Sequence, residues 1–200
     1  MREVIRGTVT PQMKNISVND KFGNTGIKRQ QGSTVIKYDT LPLDGSTQLR
    51  FFEQSSQRNF PLSNTGTDGN KLGVGSSMVV ERIYLSLVEY DAVGNDLTSI
   101  QSCNLTTATG VLINNGEFGF EIANSLVIKN VPVLSFTPQF NKNAENQNNN
   151  SFDFDTQIII PPLLEYVATL RLPNYTAIAG FFLRLTIEGS GAIIAPKTTF

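Results

Sequence analysis

The segment Phe181-Phe182-Leu183-Arg184-Leu185-Thr186-Ile187-Glu188 alternates apolar and polar side chains almost perfectly. Phe181, Leu183, Leu185 and Ile187 fall on one face, and Phe182, Arg184, Thr186 and Glu188 on the other. Successive side chains of a strand point to opposite faces, so this period of two specifies a strand with one dry and one wet side. A strand of that kind needs a second layer over its dry side.

The rest of the chain offers strands to supply that layer. Thr47-Gln48-Leu49-Arg50-Phe51-Phe52-Glu53 places Leu49, Phe51 and Glu53 on one face and Arg50 and Phe52 on the other. From Met78 to Tyr90, Ile83, Leu85 and Leu87 share a face opposite Arg82, Tyr84, Ser86 and Val88. Val35-Ile36-Lys37-Tyr38, Ser125-Leu126-Val127-Ile128, Val131 to Phe136, Gln157-Ile158-Ile159-Ile160 and Tyr166 to Leu172 add further runs. Gly110-Val111-Leu112-Ile113 leads through Asn114-Asn115-Gly116-Glu117 into Phe118-Gly119-Phe120-Glu121-Ile122, and Asn-Gly between apolar runs predicts a type I′ hairpin.

No window of eleven or more residues holds helical spacing. Asparagine and threonine, nineteen of each, favour turns and strand faces over helices. About eight strands without a βαβ rhythm predict an all-β protein, an antiparallel β-sandwich. At 200 residues the chain has the length of one ordinary domain with a sizeable core.

Charge divides the chain. Residues 1–38 hold seven basic and two acidic side chains, net +5, and the remainder is −6, for −1 in all. The first residues carry their apolar side chains singly, too sparse to fold alone, so 1–34 reads as a basic extended N-terminal arm. Residues 35–190 are the sandwich and 191–200 a C-terminal tail. Arg2, Arg6, Lys14 and Lys21 are the candidate contacts to a polyanion or membrane surface. The alternative is a solvated terminus.

Two long connections, 54–77 and 139–156, are rich in Ser, Asn, Thr and Gly. The first carries Phe60-Pro61 and the second Phe152 and Phe154. Exposed aromatic rings in such polar stretches are costly, so Phe152 and Phe154 either tuck back onto their own subunit or dock into another. Phe60, Phe152, Phe154 and the terminal Phe200 are the candidate inter-subunit contacts.

Chemistry is limited by what is missing. The chain has no histidine, no tryptophan and one cysteine. Histidine triads and dyads and most zinc sites drop out, and Cys103 can close no internal disulfide. Lys71-Leu72-Gly73-Val74-Gly75-Ser76-Ser77 has the wrong order for a phosphate loop. Asp91 to Asp96 and Asp153-Phe154-Asp155 lack the acid ladder of a calcium loop. Paired carboxylates can run a glycosidase without histidine, and Glu81, Glu89, Glu117, Glu121, Glu165 and Glu188 are the strand-borne candidates. Each has an ordinary strand or turn position to explain it. The expectation is a non-enzyme with no cofactor, no metal and no small-molecule substrate.

The strand series, the basic arm and the long polar loops resemble the single jelly-roll structural proteins of tailless viruses and phages, over roughly residues 35–190. The resemblance implies a jelly-roll-like sandwich and a capsid subunit, whether major, vertex or minor, that self-assembles through loops and terminal arms. It further implies copies of itself and other virion proteins as partners, and genome nucleic acid or an internal membrane facing the basic arm. The expected location is the virion, after synthesis in a host cytoplasm, since no apolar leader or membrane-length run is present. The alternative is a carbohydrate- or receptor-binding sandwich of the spike, adhesin or lectin-like kind, with the two long loops as its ligand surface.

Overall fold

The computed structural model describes residues 16–19, 25–28, 30–53, 60–65, 69–73, 76–90, 97–101, 108–136 and 150–194. It is an antiparallel β-sandwich. Eleven strands are described: β1 (Ile16–Asn19), β2 (Thr25–Lys28), β3 (Gln30–Pro42), β4 (Gln48–Phe51), β5 (Ser77–Tyr90), β6 (Leu97–Gln101), β7 (Glu117–Ile122), β8 (Ser125–Pro132), β9 (Asn150–Ile160), β10 (Tyr166–Arg171) and β11 (Phe181–Ile194). One helix, α1 (Ala108–Asn114), precedes β7, and a 3-10 turn, Val133–Phe136, follows β8.

Eight of the strands pair in a nested order. Counting β3, β4, β5, β7, β8, β9, β10 and β11 as first to eighth, the first pairs with the eighth, the second with the seventh, the third with the sixth and the fourth with the fifth. Two more pairings, β11 with β5 and β10 with β7, close the set into sheets β3-β11-β5-β9 and β4-β10-β7-β8. This nested roll of antiparallel strands is the jelly-roll topology. β6 is an added strand beside the Leu87–Tyr90 end of β5, and β1 and β2 form a separate two-stranded sheet.

The dry faces meet as the period of two requires. Leu183, Leu185 and Ile187 are fully buried, together with Ile83, Leu85 and Leu87 of the same sheet and Leu49, Phe51, Phe118, Phe120, Ala168 and Leu170 of the facing one. In β5 the inward parity changes, from Met78 and Val80 to Ile83, Leu85 and Leu87. The register explains it: Glu188 lies opposite Arg82 but Gly189 opposite Val80, so Glu81 is an extra residue in a β-bulge. A one-residue insertion reverses which face each side chain takes, and both halves of β5 therefore keep their apolar residues inside.

Several expectations change. β3 begins at Gln30, so the 34/35 boundary falls inside a strand whose first residues pair with Ser190 to Ile194. Likewise part of the tail, Gly191 to Ile194, belongs to β11; polar 30–34 gave no apolar signal because backbone pairing places it. Part of the arm forms the β1–β2 hairpin. Gly110 to Ile113 is a helix instead of a strand, with Gly110, Ile113 and Asn114 buried at helical spacing. Asn115-Gly116 ends this helix and makes no hairpin: the Asn115 amide donates to Val111 and the Gly116 amide to Ile113. Glycine is required there by crowding, since a Cβ would lie 2.8 Å from the Arg171 carbonyl oxygen. The hairpin sits one strand later, where Ala123 and Asn124 both take positive φ between paired Ile122 and Ser125. Val133 to Phe136 turns after Pro132, and residues 150–156 of the expected second loop are strand.

Phe52 departs from its expected outward face. Its φ of 62° ends β4 and turns the ring into the core, 2% exposed and 5.2 Å from the Tyr166 ring. Positive φ in a bulky residue costs about 1–3 kcal/mol and needs support from its surroundings. Asp39 of β3 supplies it. Its buried carboxylate accepts from the Phe52 amide at 2.7 Å and the Thr40 amide at 3.0 Å, joining the two sheets.

Sheet edges are guarded. Asn64 lies along β3 as a substitute strand residue, its Nδ2 donating to the Ile36 carbonyl and its Oδ1 accepting from the Tyr38 amide, both at 2.8 Å. β8 carries two register shifts, Lys129 and a closing Pro132, all of which blunt an edge.

Candidate functional site

The sheet β4-β10-β7-β8 has a cleft of about 300 Å³ on its outer side, lined by Arg50, Glu53, Asn70, Glu121, Asn124, Glu165 and Val167. Arg50 comes from β4, Val167 from β10 and Glu121 from β7. The connections around them are tied together: the Ala123 amide donates to the Glu165 carbonyl at 2.8 Å and the Tyr166 amide to the Asn70 carbonyl at 3.0 Å. Two carboxylates are paired with cations, Glu165 with Lys71 at 3.0 Å and Glu53 with Arg50 at 3.4 Å. Of the six glutamates expected as catalytic candidates, only Glu121 and Glu165 line this cleft, and Glu53 was missed because it shares the inward parity of Leu49 and Phe51 in the sequence, whereas in the structure it lies beyond the end of β4. Glu188 instead accepts from the Tyr84 hydroxyl and Glu81 from the Ser190 hydroxyl on the other sheet. Among the described residues no group of three acidic or cysteine side chains is placed to hold a metal ion.

On the outer side of the other sheet Arg184 is the organiser. Its guanidinium lies 4.7 Å from the centre of the Tyr38 ring and donates to Thr40 Oγ1 and the Pro61 carbonyl, both at 3.1 Å. These bonds fasten the 60–65 segment over β3. Phe60 itself does not anchor that segment; it is 84% exposed. Phe152 tucks back onto its own subunit, stacked on Phe136 at 4.9 Å. Phe154 lies in β9 with its side chain outside the described residues, and Phe200 lies outside them altogether. Arg2, Arg6, Lys14 and Lys21 also lie outside the described residues.

No family model, curated protein or solved structure matches this chain.

Among the described residues, the end of the sandwich opposite the cleft includes connections 43–47, 108–116, 133–136 and 172–180. They interlock: the Leu172 amide donates to Thr47, the Ile178 amide to Leu43, and the Val133 amide to Gly116. Asp44 accepts from the Ser46 amide at 3.0 Å, and bonds from the Ser46 hydroxyl and amide hold its carboxyl below the usual carboxylate range.

One buried group makes the core pH-sensitive. The Tyr166 hydroxyl is buried with no hydrogen-bond partner among the described residues. Burial, with a smaller contribution from the Asp39 charge, pushes its phenol above the ordinary value of 10. The fold thus favours the protonated form. Its contribution to stability is complete below about pH 10 and is lost as pH rises through the higher folded-state value. Tyr166→Phe should flatten the alkaline limb of a melting-temperature profile. At neutral pH it should raise stability by about 1 kcal/mol, because an unpaired buried hydroxyl is removed. A lower melting temperature for the variant would mean that the hydroxyl is paired in solution.

Proposed function

We propose that this chain is a virion structural protein, a capsid subunit that assembles with copies of itself. The observation that carries the reading is the nested roll of eight strands into two facing four-stranded sheets. That architecture serves viral capsid domains, lectins and cupins. A histidine-free chain lacks the imidazole ligands on which metal-binding members of such folds depend.

The cleft gives an enzyme little to work with. A glycosidase needs one carboxyl kept protonated in apolar surroundings beside an ionised partner. Glu53 and Glu165 are instead paired with cations, their side chains 37% and 46% exposed. The carbohydrate- or receptor-binding reading has the polar cleft in its favour, with its amides and carboxylates suited to hydroxyl groups. It stands second because none of the seven lining residues is aromatic and a stacking platform is missing.

In the capsid reading the partners are copies of this chain and other virion proteins, and the location is the virion. Contact of Arg2, Arg6, Lys14 and Lys21 with genome or lipid head groups is then sequence-independent and weakens with salt. Electron microscopy and light scattering of the purified full-length chain are expected to find discrete assemblies that grow with concentration. A strictly monomeric protein at every concentration and salt tested would reject the proposal.

A further inference from the structure

The cleft on the β4-β10-β7-β8 sheet holds two acceptors without donors. Asn70 is 3% exposed, and its buried side-chain oxygen Oδ1 has no hydrogen-bond partner among the described residues. Its backbone is pinned, because the Asn70 carbonyl accepts from the Tyr166 amide at 3.0 Å and the next residue, Lys71, bridges to Glu165. An unpaired buried acceptor is costly, and with the backbone held, a donor entering the cleft is what relieves it. The second acceptor is the Glu121 carboxylate. Lys71 and Arg50 are engaged by Glu165 at 3.0 Å and Glu53 at 3.4 Å, whereas the Glu121 side chain makes no hydrogen bond or ion pair among the described residues. Val167 lies directly across from Glu121 in the β10 and β7 register and gives the cleft an apolar lining.

We infer that this cleft binds a primary alkylammonium group, its N–H donors on Asn70 Oδ1 and the Glu121 carboxylate and its methylene stem against Val167. The inference goes beyond the capsid reading and does not depend on it. The chemistry selects the ligand. Two acceptors, one of them ionised, match a group with several donors and a positive charge; an ammonium carries three donors and no acceptor, and charge-assisted hydrogen bonds are the stronger kind. An anion is repelled by the Glu121 charge. A calcium or magnesium ion needs about six oxygen ligands, and among the described residues no group of three acidic or cysteine side chains is placed to begin that set. A neutral hydroxyl ligand leaves the Glu121 charge uncompensated, and no aromatic ring lines the cleft to stack a sugar. Entry needs no backbone change, because the pairs Arg50 with Glu53 and Lys71 with Glu165 are exposed, and exposed ion pairs give way readily. A free amine and a lysine side chain of another protein present the same ammonium and stem.

Saturation-transfer difference NMR on the full-length chain reads weak binding whether the protein is a single subunit or an assembly. The probes are n-butylamine and Nα-acetyl-lysine amide, each beside a neutral counterpart, 1-butanol and the Nε-acetylated lysine amide. The amines are expected to bind with a dissociation constant of about 1 mM, within reach of so small a ligand, and the neutral counterparts roughly tenfold or more weakly. Glu121→Gln keeps the shape and removes the charge, and Asn70→Leu removes the acceptor; each should weaken amine binding about tenfold. Glu117→Gln, at the other end of β7 and outside the cleft lining, should bind as wild type. Circular dichroism melting follows the fold, and if Asn70→Leu does not fold, Glu121→Gln decides alone. Binding of butylamine alone assigns the site to a free amine and binding of the lysine amide alone to a protein side chain, and either result supports the inference. No binding of either amine, equal binding of the neutral counterparts, or unchanged binding by folded Glu121→Gln would overturn it. None of these outcomes touches the capsid reading, which stands or falls on assembly.

Discussion

Gly189→Ala should reduce stability by about 3 kcal/mol or more, the upper end of what one inserted methyl does to a packed interior. A Cβ at this position would lie 1.9 Å from the Val79 carbonyl oxygen and 2.9 Å from its carbon. Both obstacles are backbone, so no rotamer change makes room. They are there because the bulge at Glu81 presses β5 toward β11 where the register shifts between Glu188 and Gly189. Relief would require the bulge to move, and then either Met78 and Val80 or Ile83, Leu85 and Leu87 would turn outward. Urea denaturation followed by far-ultraviolet circular dichroism measures the change, because the chain has no tryptophan to report by fluorescence. Gly191→Ala is the informative comparison, because its nearest obstacle is the Val35 side chain at 2.3 Å, which can move or be trimmed by Val35→Ala. Equal stabilities for wild type and Gly189→Ala would show that the bulge does not form at Glu81.

Asp39→Ala should cost about 3 kcal/mol, since each hydrogen bond to a charged acceptor is worth about 1.5–3 kcal/mol and an amide left unpaired in the core adds a penalty. The Phe52 amide at 2.7 Å and the Thr40 amide at 3.0 Å would both lose their acceptor. Phe52 would then hold its positive φ with its burial alone. Asp39→Asn keeps one acceptor oxygen and should lose less, which separates the hydrogen bonds from the volume of the side chain. The alkaline limb attributed to Tyr166 should also shift, because the Asp39 charge adds to what raises that phenol. An Asp39→Ala variant as stable as wild type would mean that water takes over both amides.

The dry and wet sides of β11 were readable in the sequence because alternation over eight residues, interrupted by Phe182 alone, leaves a single solution. Leu183, Leu185 and Ile187 are buried as that pattern requires. Short runs were less readable. Gly110 to Ile113 is four residues long, and four apolar residues in a row fit a strand or a helix turn equally; only the burial of Gly110, Ile113 and Asn114 reveals the helical spacing. The hairpin signal at Asn115-Gly116 and the hairpin made by Ala123-Asn124 show tertiary context overriding local preference, with Gly116 reserved for close approach to Arg171. Nothing in β3 names β11 as its partner, because an edge pairing over 13 residue positions is mostly backbone bonding. The cleft escaped notice for a related reason: Glu53, Glu121 and Glu165 come from three separate stretches of chain that the roll alone brings together.

The nested order of the strands also sets a timetable. β3 is the first strand of the roll to be synthesised, yet its sheet partner β11 is the last, so its main-chain groups wait through the synthesis of almost the whole domain. At about 5–20 residues per second that delay is roughly seven to thirty seconds. Of the eight strands of the roll, β7 and β8 are the pair closest in sequence, and outside the roll β5 has β6 and β1 has β2 close by. Pairings of such long sequence separation are slow to close, and they close from the inside of the nest outward. The sandwich therefore becomes complete only when the last strand has arrived, and until then β3 is a long edge with its main-chain groups open to any other strand.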